Sequence, residues 1–159
     1  FSFPFILLAM ILITVLGNGV MNVILAIGIA SVPGFARVTR GQVLIVKEEE
    51  YCNACRVVGV SPVRLLFLHI LPNCVSQIIV YATLRIASAI ISEASLSFLG
   101  LGIALPTASW GSILRVGRDC LTTAPHVAGT AGAFILVTVI GFNLLGDGIR
   151  DVMDPKMKQ

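Results

Sequence analysis

Four apolar runs, separated by short polar segments, dominate the pattern of this chain. The runs cover residues 4–16, 20–35, 74–98 and 126–145. About 20 helical residues cross the hydrocarbon core of a bilayer, so we predict a membrane helix at each run. A Gly-Asn-Gly sequence at 17–19 separates the first two runs. Such residues accept a positive φ at low cost, which predicts a helical hairpin.

The composition favours the same class of protein. Hydrophobic residues make up 57% of the 159 residues and charged residues only 12%, with a mean hydropathy of +0.98. Soluble domains usually carry about 25% charged residues, so this chain has too few charges to cover a surface in water. We predict an all-α, polytopic transmembrane helical bundle that forms a single domain over residues 1–159 in the lipid bilayer. The net charge of +3 is too small to indicate a nucleic-acid partner.

The N-terminus lies inside an apolar run rather than ahead of one. Phe1 is not a methionine, and no charged residue precedes the first run. A charged n-region and a small-residue cleavage site, which mark a secretory signal, are both missing. We therefore expect the sequence to be truncated at its N-terminus, within or just before a membrane helix.

The positive charges are concentrated between the second and third apolar runs. Five of the eleven Lys and Arg residues lie there: Arg37, Arg40, Lys47, Arg56 and Arg64. Because loops rich in Lys and Arg stay on the inner side of a membrane, we predict that this segment faces the cytoplasm. Contact with lipid headgroups alone would also explain a basic loop.

Within this region we define residues 42–72 as the corner segment. We predict one helix over residues 42–58, capped by Gly59, and a second helix with Ser61 as N-cap and Pro62 at its first position. Apolar surface in water is costly unless a partner covers it, so we interpret the segment as a docking surface. Its apolar side chains are Val57, Val58, Val60, Val63, Leu65, Leu66 and Phe67.

The corner segment resembles the cytoplasmic coupling loop in the permease subunits of ABC importers for dipeptides, oligopeptides or nickel. That family carries the pattern E-A-A-x3-G-x9-I-x-L-P, in which x is any residue. In this chain Asn53 replaces the glutamate, Cys55 the second alanine and His69 the isoleucine. The corresponding positions are Asn53, Ala54, Cys55, Gly59, His69, Leu71 and Pro72.

Later segments resemble the same family in the same order. They are SEASLSFLGLG at 92–102, PTASWG at 106–111 and FNLLGDGIRDVMDP at 142–155. The resemblance covers essentially the whole chain and corresponds to the C-terminal part of such a subunit. It implies the fold of an ABC importer permease in a bacterial or archaeal inner membrane, which moves di- or oligopeptides by alternating access. Nickel import is the alternative substrate class within the family.

The resemblance also implies partners. The corner segment would dock on separate ATP-binding cassette subunits, and those subunits rather than this chain would bind ATP and Mg²⁺. A second homologous permease subunit would complete the pore, and an extracytoplasmic substrate-binding protein would deliver the cargo. No cofactor is expected on this chain itself.

Two ionisable residues, Arg85 and Glu93, interrupt the third apolar run. They are separated by two helical turns, which leaves them within about 80° of one another around a helix. Ionisable side chains in membrane helices normally face protein or water. They would either line the translocation path or hold neighbouring helices together, and we favour the packing role, most of all for Glu93.

The cysteines and histidines do not indicate a catalytic or metal site. Cys52 and Cys55 form a C-x-x-C, but no second pair completes a zinc site, so we interpret both as small apolar helix residues. No nucleophile and base share a motif, and Gly129-x-x-Gly132 lacks the Lys-Ser/Thr of a phosphate-binding loop. We predict that the chain is not an enzyme.

Two other classes of membrane protein agree with parts of the sequence. Asp147, Gly148, Arg150 and Asp151 weakly resemble the acidic motif of metal-dependent phosphatidyltransferases, but the further carboxylates that such enzymes need are missing. A channel agrees with the hydropathy but leaves the apolar corner segment unexplained. The phosphatidyltransferase-like enzyme and the channel therefore stay as alternatives to the importer permease, which also accounts for the apolar corner segment.

Overall fold

The computed structural model describes residues 4–103 and 106–153, in which the regular secondary structure is helical, with no strand among these residues. The predicted all-α class is confirmed. Seven α-helices follow one another along the chain, and a π-helical stretch, Leu66–Ile70, joins the fourth to the fifth. They are α1 Phe5–Leu16, α2 Val20–Val46, α3 Glu50–Val57, α4 Pro62–Leu65, α5 Leu71–Phe98, α6 Trp110–Asp119 and α7 Pro125–Met153.

Within the described ranges, three helical segments are long and apolar enough to cross a membrane. They are Val20–Val46, Pro62–Phe98 and Pro125–Met153, and α1 is a shorter apolar helix. Many of their large apolar side chains are exposed, among them Met21, Val32 and Val137. Such side chains are suited to lipid or to neighbouring helices rather than to water.

The helix predicted over residues 42–58 is wrong, because the chain breaks in the middle of that range. Helix α2 continues through Pro33 to Val46, and α3 begins only at Glu50. Between them, Glu49 has an extended backbone with ψ 146. Three consecutive glutamates, 48–50, explain the break, since carboxylates are unfavourable at the C-terminus of one helix and favourable at the N-terminus of the next.

The sequence also predicts that the second helix of the corner segment ends near Leu71, before Pro72, and this end is wrong. Helix α4, the π-helical stretch and α5 form one continuous helical segment from Pro62 to Phe98. Pro72 therefore lies inside it rather than at a break. A proline cannot donate to the carbonyl four residues earlier, and the wider π-helical turn directly before it accommodates that missing hydrogen bond.

The chain divides into two compact units. We call Phe1–Val32 with Arg85–Asn143 the hairpin unit, and Pro33–Leu84 with Leu144–Gln159 the corner unit. The last two residues of the motif at 142–155 lie outside the described residues.

The hairpin unit is built around the turn between α1 and α2. Gly17 and Gly19 have φ values of +85 and +153, which favour glycine. Asn22 Nδ2 donates to Leu16 O at 2.7 Å and to Gly17 O at 3.0 Å, and so satisfies carbonyls at the end of α1. Alanines make up half of the buried core, which consists of Ala9, Ile13, Val23, Ala26, Ala30 and Leu96.

In the same unit, α6 packs against α5 with almost no space between the backbones. A Cβ atom on Gly111 would lie 2.7 Å from Ala94 Cα and 2.7 Å from Ser97 Cβ. Ser109 and Ser112 form a capping box that starts α6, with Ser112 N donating to Ser109 Oγ at 3.2 Å. The cap fixes where α6 begins, and Gly111 allows the close contact.

Candidate functional site

Gly59 closes α3 with a Schellman motif. Val60 N donates to Cys55 O at 3.0 Å and Gly59 N donates to Arg56 O at 3.1 Å, while Gly59 has a φ of +84. This is the pair of hydrogen bonds that ends a helix when a left-handed residue follows it. The residue that the sequence indicates as a cap therefore has the backbone geometry of one.

The space around Gly59 is open. No heavy atom of the described residues lies within 4 Å of the position that a Cβ on Gly59 would take, and the residue is exposed. A side chain at this position would meet no obstacle within the chain, so a substitution is strained only through its φ. The corner can accordingly be approached closely by another molecule.

Replacing Gly59 with alanine is expected to loosen the end of α3, because an L-residue at this φ costs about 1 kcal/mol. Amide hydrogen exchange at residues 59 and 60 should become about fivefold faster, and Gly59→Asn should show a smaller change, since asparagine tolerates this backbone. Gly148→Ala is the matched control, because its Cβ also meets open space but within helix α7. Equal exchange changes in the two alanine variants would contradict the role of the positive φ.

A small buried core fixes α3 to the helices on either side of it in the sequence. Cys52 and Cys74 are fully buried, Leu65 and Ile70 nearly so, and Val43 of α2 packs against them. Cys52 Sγ also donates to Val46 O at 3.3 Å. The corner segment is thus held against α2 and the start of α5.

The outer side of the corner is strongly apolar and uncovered. The exposed fractions are 88% for Val57, 82% for Val58, 67% for Val63 and 60% for Phe67. The neighbouring Tyr51 adds no charge to this surface. Its pKa is raised, mainly because the phenol is partly buried and secondly because it lies beside the Cys52 thiol, so it is neutral at physiological pH. Four large apolar side chains on one short segment form the kind of exposed patch that marks a protein interaction site.

The structure separates the predicted site residues into two groups. Asn53 and Ala54 are exposed on α3, close in sequence to the exposed Gly59, and Cys55 is half-buried. Leu71 and Pro72 lie in the first turn of α5, where Leu71 is half-buried and Pro72 exposed. Their part in docking stays a prediction.

Sequence reasoning missed the role of Arg56. Its Nη1 donates to Asn53 Oδ1 at 2.6 Å, and its Nη2 donates to Lys47 O at 3.0 Å. Asn53, which replaces the family glutamate, therefore accepts a hydrogen bond from a cation on the same helix. The spacing of three residues between Asn53 and Arg56 could have suggested this pair, because such side chains are neighbours on a helix surface.

The other two predicted residues, Arg85 and Glu93, have different partners within the hairpin unit. Ser97 Oγ donates to Glu93 Oε1 at 2.6 Å and accepts from Ile103 N at 3.0 Å. Ser97 thus links Glu93 to the turn that follows α5, and the packing role of Glu93 stays a prediction. Arg85 Nη2 instead donates to Ser31 Oγ at 3.3 Å.

Replacing Ser97 with alanine is expected to lower the free energy of unfolding by about 2 kcal/mol, because it leaves the Ile103 amide and the Glu93 carboxylate without their partner. Ser95→Ala is the control, since Ser95 Oγ only donates to Ile91 O within its own helix. The control should change stability by no more than about 0.5 kcal/mol. Denaturation of the purified protein in detergent measures both, and equal losses would show that the anchor is not formed.

Comparison with known proteins identifies the family. The family model described as "binding-protein-dependent transport system inner membrane component" matches residues 1–159. The chain belongs to this family. The resemblance found in the sequence is confirmed, because the family and the relatives described below are membrane components of transport systems rather than enzymes.

The individual relatives that match this chain have names that refer to glutathione transport. The chain is 51% identical over 158 residues to the glutathione transport system permease protein GsiD of Salmonella paratyphi A, covering 99% of this chain and 52% of the relative. It is 50% identical over 158 residues to the proteins of that name from Escherichia coli O1:K1 and Shigella flexneri serotype 5b, with the same coverage. The chain therefore spans about half the length of the curated relatives it matches.

Proposed function

We propose that this chain acts as the permease subunit of an ATP-driven ABC importer for small peptides, and that its corner segment docks on a separate ATPase subunit. The family supports a membrane role in binding-protein-dependent transport. The relatives named above support a peptide over nickel, because glutathione is itself a small peptide.

The observation that carries the coupling role is the glycine corner with its uncovered valines. Val57 and Val58 are the most exposed of its apolar side chains and stand directly before Gly59. An apolar patch of this kind on the cytoplasmic side is costly unless another protein covers it. The ATPase subunit is the partner that an importer must bind on that side.

Movement would pass from the corner to the membrane helices through the buried core. Cys52 of α3 shares one cluster with Val43 of α2 and with Cys74 of α5. A partner that pulls on α3 therefore acts on the ends of both helices at once. ATP binding with Mg²⁺ on the ATPase subunit would tilt these helices and switch the path between outward and inward access.

The other partners follow from the same scheme. A second homologous permease subunit would form the remaining part of the path, and a substrate-binding protein would dock on the extracytoplasmic side. The polytopic helices would place this chain in the inner membrane. ATP would be hydrolysed on the ATPase subunit.

Uptake into proteoliposomes tests this function directly. The full-length permease, its partner permease, the ATPase subunits and the binding protein would be reconstituted, with labelled tripeptide and labelled Ni²⁺ offered in separate reactions. We expect accumulation of the tripeptide that requires ATP. Tripeptide movement without ATP would indicate a channel and would contradict the proposal, and ATP-dependent accumulation of Ni²⁺ alone would overturn the peptide assignment.

A further inference from the structure

A second feature of the chain is Arg85, a charged residue inside an apolar helix. It is near the midpoint of α5, which places it about 20 Å from either end of that helix. It also lies within Pro62–Phe98, one of the apolar segments long enough to span a bilayer. Transporters commonly hold substrate near the middle of the membrane.

Among the described residues, no anion lies beside the Arg85 charge. Its Nη2 donates to the neutral Ser31 Oγ at 3.3 Å, and its guanidinium carbon lies 4.8 Å from the centroid of the Phe5 ring. Its Nε is buried and finds no hydrogen-bond partner within residues 4–103 and 106–153. The ion pairs formed by the described residues are Lys47–Glu48 and Arg118–Asp119, and neither involves Arg85.

Glu93 does not compensate Arg85. Although both residues lie on α5, the Glu93 carboxylate accepts from Ser97 Oγ at 2.6 Å. A charge at the centre of a bilayer is costly, and it persists where it meets a counter-charge or water. One long hydrogen bond to a hydroxyl and one aromatic face leave most of the guanidinium donors available.

We propose that Arg85 binds a carboxylate of the cargo as it crosses the membrane. A guanidinium presents donors in a fork that matches the two oxygens of a carboxylate, which every unmodified peptide carries at its C-terminus. Ser31 lies beside that fork as a second polar group, and Phe5 covers one face of it. This inference rests on the proposed function and names the group of the peptide that the path recognises.

The test compares a labelled tripeptide with the same tripeptide as its C-terminal amide. Uptake is measured in proteoliposomes that hold the reconstituted importer with the parent chain, Arg85→Gln or Arg85→Lys. Because the binding protein is the same in every sample, its own preference cancels when the acid-to-amide uptake ratio of a variant is divided by that of the parent. Arg118→Gln, which removes an exposed cation from α6, is the control.

Arg85→Gln should reduce uptake of the free acid about ten- to hundredfold, because it removes a charged hydrogen bond, and should change uptake of the amide much less. Arg85→Lys should recover uptake of the acid to within about threefold of the parent, since it restores the charge without the fork. Arg118→Gln should leave the acid-to-amide ratio unchanged. If the parent importer does not carry the amide, the test uses the free acid alone. The deciding results are then the loss of acid uptake in Arg85→Gln and its recovery in Arg85→Lys.

Two results would overturn the inference. The first is uptake of the acid by Arg85→Gln within about twofold of the parent. The second is an equal loss for acid and amide together with failure of the second permease subunit to copurify, which would show that Arg85 pairs with a carboxylate of that subunit. Failure of the parent importer to carry any peptide would instead overturn the proposed function.

Discussion

Replacing Val58 with aspartate is expected to reduce peptide-stimulated ATP hydrolysis by the assembled importer at least about tenfold. Val58 is 82% exposed, so the substitution costs the isolated chain little. In a complex, however, the new carboxylate would be buried in an apolar interface beside the corner. Central interface residues can contribute 2 kcal/mol or more, which corresponds to more than about tenfold in binding.

Val152→Asp provides the matched control for this prediction. Val152 is 81% exposed in the last turn of α7. The substitution therefore introduces the same charge at nearly the same exposure, but outside the corner segment. We expect both variants to reach the membrane in normal amounts and only Val58→Asp to lose the ATPase subunit on purification. Normal coupling in Val58→Asp, or equal losses in both variants, would mean that the corner is not the docking surface.

Replacing Gly111 with alanine is expected to destabilise the protein by about 1–3 kcal/mol. The new Cβ would lie 2.7 Å from Ala94 Cα, and backbone atoms cannot move aside as the end of a flexible side chain can. Helix α6 would have to shift away from α5, which would also strain the Ser109 cap. Thermal unfolding in detergent and the amount of protein in the membrane measure the loss.

The same substitution at Gly132 separates this contact from a general effect of glycine removal. A Cβ on Gly132 meets nothing within 4 Å, and the residue lies inside α7. Gly132→Ala should therefore be neutral or stabilising by up to about 1 kcal/mol, as expected for alanine in a helix. Similar destabilisation by both variants would show that α6 and α5 are not in close contact.

The elements that follow from local rules could be predicted from the sequence. The turn at 17–19 was predicted because two glycines flank an asparagine between apolar runs, and both glycines do have positive φ. The cap at Gly59 was predicted because glycine accepts the left-handed backbone that ends a helix, and it is present. In each case the information lies in a few adjacent residues.

The boundaries that depend on longer stretches of chain were missed. The sequence predicts a helix end just before Pro72, yet Pro72 lies inside one helical segment, as Pro33 lies inside α2. A proline in a helix costs a hydrogen bond, but a long apolar helix packed against others can tolerate that cost. Local propensity alone could not show which effect dominates.

Only part of the candidate site could be predicted, because some of its contacts join residues that are distant in the sequence. The exposed valines and Gly59 follow one another in the sequence, so the corner was found. The buried contact between Cys52 and the start of α5 joins residues far apart in the chain, and no local pattern reports it. In the same way Arg85 stood out as a charge in an apolar run, but its neighbours Ser31 and Phe5 could not be foreseen.

Thiol labelling of a Val58→Cys variant tests the central claim most directly. A membrane-impermeant maleimide would be applied to the assembled importer in right-side-out and inside-out vesicles, with the parent chain as the blank for its four native cysteines. We predict that residue 58 is labelled only in inside-out vesicles, and only after the ATPase subunits have been removed. Labelling in right-side-out vesicles, or labelling in inside-out vesicles that the ATPase subunits do not reduce, would contradict a cytoplasmic docking corner.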